Sequence, residues 1–150
     1  MSIASNVNNI PRGKEVGATP DGRYAGAALN DAASPMRGMD KNGLTQAMLS
    51  VSKADYTKAS VGTVYNIKLT ENMFKNIEKR NALRELLKVY FKRGGQEVQI
   101  NCISRSTLID AMQKPEEYED LVVRVSGFSA VYTTLSTPIQ EDILERTEHE

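Results

Sequence analysis

Residues 121–130 read Leu-Val-Val-Arg-Val-Ser-Gly-Phe-Ser-Ala and place two apolar, strand-like runs on either side of one glycine, Gly127. Valine-rich runs interrupted by a turn residue are typical of paired strands. The pattern predicts a strand over residues 121–125 and its return over residues 130–135. Taken alone, Gly127 fits a tight hairpin or a bulge, where a residue without Cβ is favoured.

Helical and strand-like spacings alternate through the residues around this pair. Apolar residues from Met73 to Phe91 recur every three or four positions and predict one amphipathic helix of about six turns, ended by Gly94 and Gly95. Shorter helices are predicted over residues 44–51, 106–113 and 138–146, the second capped by Ser104 and stopped before Pro115. Strands are predicted over residues 3–7, 61–69 and 96–103. This alternation predicts an α/β fold.

Turn-forming residues divide the chain into two unequal parts. Most of its glycines and prolines fall in residues 1–60, which contain turn sequences such as Pro-Asp-Gly-Arg at 20–23. We therefore predict a loop-rich segment over residues 1–60 and a regular α/β unit over residues 61–150. So long a loop-rich stretch indicates a backbone shaped around another element.

Composition excludes several functional classes. A formal net charge of zero argues against a nucleic-acid-binding surface, and no apolar run is long enough to indicate a membrane span or a signal peptide. The pattern predicts a cytoplasmic protein.

The single cysteine, Cys102, and the single histidine, His149, are too few for a disulfide framework or a Cys/His metal site. We expect Cys102 to be a small buried apolar residue, His149 to be exposed, and Asp21 and Arg23 to be candidates for an ion pair within a turn.

A family resemblance extends through most of the chain. Residues 124–130, Arg-Val-Ser-Gly-Phe-Ser-Ala, resemble the radical-bearing signature of the glycyl radical enzymes, which include pyruvate formate-lyase, glycerol and hydroxyproline dehydratases, choline trimethylamine-lyase and arylacetate decarboxylases. Further blocks resemble that family in the same order. They are residues 17–23, 34–35, 38, 40–43, 50–53, 94–101, 108–111, 115–118 and 146–149.

The resemblance implies that Gly127 carries a backbone radical. Loss of an α-hydrogen leaves an electron shared between the amide nitrogen and the carbonyl, which requires a planar α-carbon that a Cβ would crowd. The residues that would support the radical loop are Arg124, Val125, Ser126, Phe128, Ser129 and Ala130. Arg124 is a candidate for anchoring the loop by hydrogen bonds, although a strand-edge arginine paired to an acid is an alternative. Phe128 and Tyr132 are expected to pack the loop into an apolar interior.

The fold, cofactors and partners follow from the same resemblance. It implies the closing portion of a ten-stranded α/β barrel, with the glycine loop between two strands at the barrel centre. No cofactor or metal would bind to this chain. A radical SAM activating enzyme would install the oxygen-sensitive radical under anaerobic conditions, with S-adenosylmethionine and a [4Fe-4S] cluster of its own.

The catalytic half of the family pattern is missing. The family's reactive cysteine lies in an upstream Gly-Cys-Val-like loop, and Cys102 stands where an apolar residue is usual. The resemblance therefore implies a large cysteine-bearing partner subunit.

Residues 2–7 and 13–17 resemble barrel sequence, which favours a small subunit or an excised fragment over a spare radical protein that repairs an oxygen-cleaved lyase. A non-catalytic binding module is the remaining alternative. Residues 129–132, Ser-Ala-Val-Tyr, are closer to the dehydratase, decarboxylase and C–N lyase branches than to pyruvate formate-lyase.

Overall fold

The computed structural model describes residues 7–59 and 63–149. The predicted strand over residues 3–7 lies outside this range except for Val7, which is in a turn. The helices are α1 (Asn9–Glu15), α2 (Gly43–Val51), α3 (Asn72–Lys75), α4 (Ile77–Lys92), α5 (Arg105–Gln113) and α6 (Thr137–Leu144). Short 3-10 helices cover Tyr56–Lys58, Pro115–Glu117 and Tyr132–Thr134. The strands are β1 (Asn66–Leu69), β2 (Gln99–Asn101), β3 (Val122–Arg124), β4 (Ser129–Val131) and β5 (Glu148–His149).

Three parallel strands form the main sheet in the order β2-β1-β5. In the register of β1 and β2, Ile67 lies opposite Ile100. Helices α3 and α4 supply the long connection that two adjacent parallel strands require. The α/β prediction is therefore confirmed, although both predicted strands are shorter than expected. Of the strand predicted over residues 61–69, only Asn66–Leu69 is a strand, with residues 61 and 62 outside the described range, and the strand predicted over residues 96–103 is limited to Gln99–Asn101.

The predicted six-turn helix is two helices, and Asn76 separates them. Asn76 has an extended backbone, with φ −91° and ψ 122°. Its side-chain oxygen accepts hydrogen bonds from the backbone N–H groups of Glu78 (2.8 Å) and Lys79 (3.2 Å). Asparagine is a favoured N-cap because its side chain satisfies N–H groups that have no partner in the first helical turn. Apolar spacing continues across such a break, so periodicity alone predicted one helix.

The predicted end of α4 is confirmed. Gly94 has φ 100°, a left-handed value that favours glycine. Its N–H donates to the Phe91 carbonyl (3.0 Å), and the N–H of Gly95 donates to the Tyr90 carbonyl (3.1 Å). These bonds satisfy carbonyls that the last helical turn leaves without partners.

The other predicted helices are confirmed to within one or two residues at each end. Ser104 caps α5, because its hydroxyl accepts from the Thr107 N–H at 3.1 Å. Within residues 7–59 and 63–149, no helix has the length and hydropathy needed to cross a bilayer. The predicted return strand over residues 130–135 is too long: β4 ends at Val131, and Tyr132–Thr134 form a 3-10 helix.

Two apolar cores lie on opposite faces of the main sheet. The first core is built from α2, α4 and the apolar residues of β1, and it includes Met48, Ile67 and Tyr90. The second is built from α5, α6 and the β3–β4 pair, and it includes Leu108, Val123 and Ile143. The first core combines residues from before and after position 60, for example Met48 and Ile67. The division of the chain into residues 1–60 and 61–150 stays a prediction.

His149 is buried, which corrects the expectation that it is exposed. It lies on β5, opposite Leu69 of β1, and only 6% of its surface is accessible. Its Nε2 lies 3.0 Å from Asp40 Oδ2. Thr147 donates a short hydrogen bond to the other oxygen of Asp40. The C-terminal residues are thereby tied to the loop-rich segment, a contact across more than one hundred residues that local sequence does not encode.

Candidate functional site

Gly127 lies at the tip of the antiparallel hairpin formed by β3 and β4. Arg124 pairs with Ser129 in the strand register, and the N–H of Val125 donates to the Phe128 carbonyl at 2.9 Å. Ser126 and Gly127 are therefore the two residues of the turn. Gly127 has φ 81°, and a positive φ at this turn position strongly favours glycine. The hairpin expected from residues 121–130 is present.

The predicted support residues occupy three kinds of position. Val125 and Ser126 are buried, each with 1% of its surface accessible. Phe128 and Ala130 are half-buried and pack on the second core, where Tyr132 is fully buried, so the expected packing of Phe128 and Tyr132 is confirmed. Ser129 is exposed, and its hydroxyl accepts a 2.9 Å hydrogen bond from Arg124 Nη1. This bond joins the two strands of the hairpin.

Residues that sequence reasoning missed hold the hairpin from the face of the main sheet. Asn66 and Lys68 on β1, and Gln99 and Asn101 on β2, are all buried, and we call these four residues the polar face. They alternate with Ile67, Leu69 and Ile100, which pack on the first core. Because successive side chains of a strand point to opposite faces, polar residues at every second position lie on the side of the hairpin.

The polar face contacts the hairpin at three residues in and beside the turn. Asn101 accepts from the backbone N–H of Arg124 and donates to its carbonyl, both at 2.8 Å. Asn66 donates to the hydroxyl of Ser126 at 3.3 Å. Gly127 donates its amide N–H to Gln99 Oε1 at 3.1 Å. The sequence signal that could have identified these partners is the presence of polar residues at alternate positions of two predicted strands, Asn66 and Lys68 in one and Gln99 and Asn101 in the other.

Arg146 holds the carbonyl groups that precede the turn. Its guanidinium donates to the Val125 carbonyl (2.7 Å) and, at 3.3 Å, to the Arg124 carbonyl. It also pairs with Asp31 (3.1 Å) and Asp142 (3.4 Å). Burial lowers the pKa of Arg146, and the Asp31 carboxylate opposes that change. An arginine remains charged at any physiological pH, so this cluster stays ionic.

A second arginine and an asparagine complete the buried cluster. Arg37 forms an ion pair with Asp142. Burial lowers the pKa of Arg37, with the nearby Arg146 charge acting in the same direction. Asn66 donates to Asp31 at 2.6 Å. A cavity of about 30 Å³, enough for a single water molecule, lies beside Asp31, Asn66 and Arg146.

Two other expectations are corrected. Cys102 is exposed, because it follows the last residue of the short β2; the burial that remains raises the pKa of its thiol. Arg23 is buried, and its guanidinium donates hydrogen bonds to three backbone carbonyls, those of Val16, Gly17 and Ala27. It forms these bonds instead of an ion pair with Asp21. Arg124 agrees with the first of its two readings: it donates a hydrogen bond to Ser129 across the hairpin, and it forms no ion pair with an acid within residues 7–59 and 63–149.

The described residues contain no group of three His, Cys, Asp or Glu side chains arranged to hold a metal ion. The arrangement is instead a glycine turn in which buried side chains bond the Gly127 amide, the Ser126 hydroxyl and the carbonyls of the two residues before the turn, Arg124 and Val125. Such a site fixes the conformation of a backbone segment and limits its contact with water.

Comparison with known proteins identifies the class to which this hairpin belongs. The family described as "Glycine radical" matches residues 29–133, which is more than half of the chain. The chain belongs to this family, and the resemblance to glycyl radical enzymes is confirmed.

Individual relatives support the same conclusion. The probable dehydratase YbiW of Escherichia coli K12 is 42% identical over 142 residues, covering 94% of this chain and 18% of that protein. Formate acetyltransferase 1 of the same organism is 36% identical over 154 residues, covering 98% of this chain and 20% of that protein. The solved, glycerol-bound B12-independent glycerol dehydratase of Clostridium butyricum superimposes with a TM-score of 0.90 and 45% identity, over 94% of this chain and 18% of that one. The chain thus spans about a fifth of the length of its relatives.

Proposed function

We propose that Gly127 stores a backbone radical for a glycyl radical enzyme. The observation that carries this proposal is the position of Gly127 in a hairpin turn, with φ 81° and with its amide N–H bonded to a buried side chain. A glycine at this point has two α-hydrogens and no Cβ. Removal of one hydrogen leaves a planar α-carbon between two peptide groups that share the unpaired electron.

The surroundings of Gly127 suit a radical that must persist between turnovers. Val125 and Ser126, the two residues before it, are almost inaccessible to solvent, and Phe128 packs on the second core. The turn is held by the paired ends of β3 and β4, which contain Arg124, Ser129 and Ala130. Fixed, hydrogen-bonded backbone groups keep the two peptide planes aligned for delocalisation and limit the approach of reactive molecules from solvent.

The second part of the proposal is transfer of the radical to a cysteine outside this chain. Cys102 is exposed beyond β2, and the sequence has no Gly-Cys-Val loop of the family type. A large cysteine-bearing catalytic chain would supply the thiol and the substrate-binding residues, and this chain would close its ten-stranded α/β barrel. The proposed chemistry is that of a radical lyase, dehydratase, decarboxylase or acyltransferase; the relatives that support it include a probable dehydratase, a glycerol dehydratase and a formate acetyltransferase.

Installation of the radical requires a partner with its own cofactors. A cluster of four irons is typically held by several cysteine thiolates, and this chain has one cysteine. We propose that a radical SAM activating enzyme, carrying a [4Fe-4S] cluster and S-adenosylmethionine, removes one α-hydrogen from Gly127. This step belongs to an anaerobic cytoplasm, because dioxygen adds to carbon-centred radicals.

Electron paramagnetic resonance tests this proposal directly. The chain is incubated anaerobically with several activating enzymes, a reductant and S-adenosylmethionine. A doublet is expected, because the one remaining α-hydrogen couples to the electron, and labelling with [2,2-²H₂]glycine should collapse it. Gly127→Ala should abolish the signal. Gly38→Ala is the matched control, since Gly38 also has a positive φ (72°) but lies outside the hairpin, and it should retain the signal.

Exposure to air supplies the second readout. Dioxygen should cut the activated chain at Gly127, leaving a long fragment that ends near Ser126 and releasing about 24 residues. If an activating enzyme that works on close relatives binds the chain and gives neither a doublet nor this fragment, Gly127 is only a hairpin glycine. The same fragment from Gly127→Ala would indicate ordinary proteolysis and would equally contradict the proposal.

A further inference from the structure

The amide N–H of Gly127 has one hydrogen-bond partner in the described part of the chain, the side-chain oxygen of Gln99 (3.1 Å). Gln99 lies on β2, with 4% of its surface accessible. Its own backbone N–H donates to the Tyr65 carbonyl at 2.9 Å, so the start of the side chain is fixed by the main sheet. The acceptor is therefore held in place before any radical forms.

A carboxylate determines which end of the Gln99 amide faces Gly127. Gln99 Nε2 donates to Glu97 Oε1 at 2.7 Å. A glutamine amide can be turned over without changing its shape, but an ionised carboxylate only accepts hydrogen bonds. The nitrogen must consequently face Glu97, which leaves the oxygen toward Gly127. The opposite orientation would put an N–H donor against the N–H of Gly127 and a carbonyl oxygen against a carboxylate.

We propose that Gln99 is a positioning residue for the glycyl radical and that Glu97 sets its orientation. This inference rests on the proposed role of Gly127. The unpaired electron on the α-carbon is shared with the amide nitrogen, and an acceptor on that N–H increases the electron density that the nitrogen can donate. The two hydrogen bonds, from Gln99 to Glu97 and from Gly127 to Gln99, also fix the plane of the peptide group that contains the Gly127 nitrogen.

The contact itself can be tested without a radical. In the resting protein labelled with ¹⁵N-glycine, Gln99→Leu should shift the Gly127 amide resonance and raise its exchange rate about tenfold, equivalent to ~1.4 kcal/mol of protection. Gln113→Leu is the matched control, because Gln113 is exposed at the end of α5. It should leave the Gly127 resonance unchanged. Glu97→Ala alters only an exposed side chain and should give a smaller shift in the same direction, which keeps the test valid if Gln99→Leu fails to fold.

The effect on the radical is read from its spectrum. Electron–nuclear double resonance of the activated protein measures the couplings of the Gly127 nitrogen and of its exchangeable N–H proton. Both couplings should change in Gln99→Leu and in Glu97→Ala. The double variant Gln99→Glu with Glu97→Gln keeps an acceptor toward Gly127 and a donor between the two side chains, and it should retain part of the wild-type values. A merely structural role would lower the amount of radical without changing these couplings.

The outcomes separate this inference from the proposed function. If the wild-type protein gives no doublet, the radical role of Gly127 fails, while the amide resonance still reports on the Gln99 contact. If the doublet forms and the couplings are the same in the wild type, Gln99→Leu and Glu97→Ala, the positioning role of Gln99 is wrong. An unchanged Gly127 amide resonance in a folded Gln99→Leu would show that the contact is absent.

Discussion

The guanidinium of Arg146 donates a 2.7 Å hydrogen bond to the carbonyl oxygen of Val125, two residues before Gly127. A residue near the C-terminus therefore holds the hairpin in addition to its strand pairing. The same guanidinium contacts Asp31 of the loop-rich segment, so one side chain joins three distant parts of the sequence. The conformation of the turn depends on a buried ionic cluster as well as on strand pairing.

Removal of Arg146 should strongly destabilise the protein. Arg146→Met would leave the carboxylates of Asp31 and Asp142 buried with reduced compensation. Breaking a buried pair from one side typically costs about 3–5 kcal/mol. Urea denaturation followed by circular dichroism should show this loss. Arg84→Met is the control, since Arg84 forms an exposed pair with Glu85, and its free energy of unfolding should change by less than about 0.5 kcal/mol. Equal effects of the two variants would show that the Arg146 cluster has no special role.

The N-cap at Asn76 should be measurable as helix stability. Asn76→Ala removes the oxygen that accepts from Glu78 and Lys79, and loss of such a cap costs about 0.5–2 kcal/mol. Asn81→Ala is the matched control, because Asn81 is exposed within α4, where alanine is the better helix former. We expect the first variant to lower the midpoint of thermal unfolding and the second to leave it unchanged or raise it. A higher midpoint for Asn76→Ala would mean that a continuous helix is preferred there.

Two glycines of the N-terminal segment should respond differently to a methyl group. A Cβ on Gly13 would lie 2.7 Å from the Ala28 Cα and closer still to the Ala27 carbonyl oxygen, whereas a Cβ on Gly17 would meet nothing within 4 Å. Because the atoms near Gly13 belong to the backbone, α1 and residues 27–28 would have to separate. We expect Gly13→Ala to lower the free energy of unfolding by about 1–3 kcal/mol and Gly17→Ala to be nearly neutral. Equal effects would contradict the close approach at Gly13.

The sequence predicted local features well and long-range polar contacts poorly. The N-cap at Ser104 and the end of α4 at Gly94 depend on neighbouring residues, so short patterns identify them. The contacts of Asn101 with Arg124, and of Arg146 with Val125, join residues more than twenty positions apart. No periodicity encodes such a pair. The burial of His149 has the same origin, since it depends on β5 pairing with β1.

Apolar spacing also overestimated the length of regular elements. Residues 96–103 alternate as a strand would, but only Gln99–Asn101 pairs with β1. The four-residue β1 limits how much of its neighbour can form ladder hydrogen bonds. Resemblance to a family supplied what the local pattern lacked at Gly127, where a hairpin glycine and a radical glycine have the same sequence signature of one glycine between two strands.

Hydrogen exchange should follow the hairpin during assembly and activation. We expect a large cysteine-bearing chain to protect residues 122–132, because the glycine loop would then lie inside the completed barrel. An activating enzyme should raise exchange in the same residues, because Gly127 has to leave Gln99, and the preceding Val125 has to leave Arg146, for the turn to reach a second active site. Residues 77–92 of α4 serve as the internal reference. Equal exchange of the hairpin with and without the large chain would count against its insertion.

Tyr132 should make the protein less stable at alkaline pH. Burial raises the pKa of Tyr132 to about 12, with the nearby Glu141 charge acting in the same direction. Between the unfolded value of about 10 and the folded value, the folded protein holds more protons than the unfolded chain, so stability falls as pH rises. The contribution of Tyr132 is complete below about pH 10 and is lost as pH rises through its folded pKa.

Comparison of two phenylalanine variants isolates this effect. Tyr132→Phe loses the hydroxyl that donates to the Gln140 carbonyl at 3.2 Å, so it should be less stable than the wild type by about 1 kcal/mol near pH 7. Above pH 10 the free energy of unfolding of the wild type should fall more steeply with pH than that of Tyr132→Phe. The difference between the two slopes should reach up to about 1.4 kcal/mol per pH unit, so the two free energies should converge. Tyr24→Phe is the control, because the Tyr24 side chain is 83% exposed and should change neither the stability nor its slope. Urea titrations at intervals from pH 8 to 12 measure both quantities, and parallel curves for Tyr132→Phe and the wild type would show that the Tyr132 hydroxyl ionises equally in the folded and unfolded states.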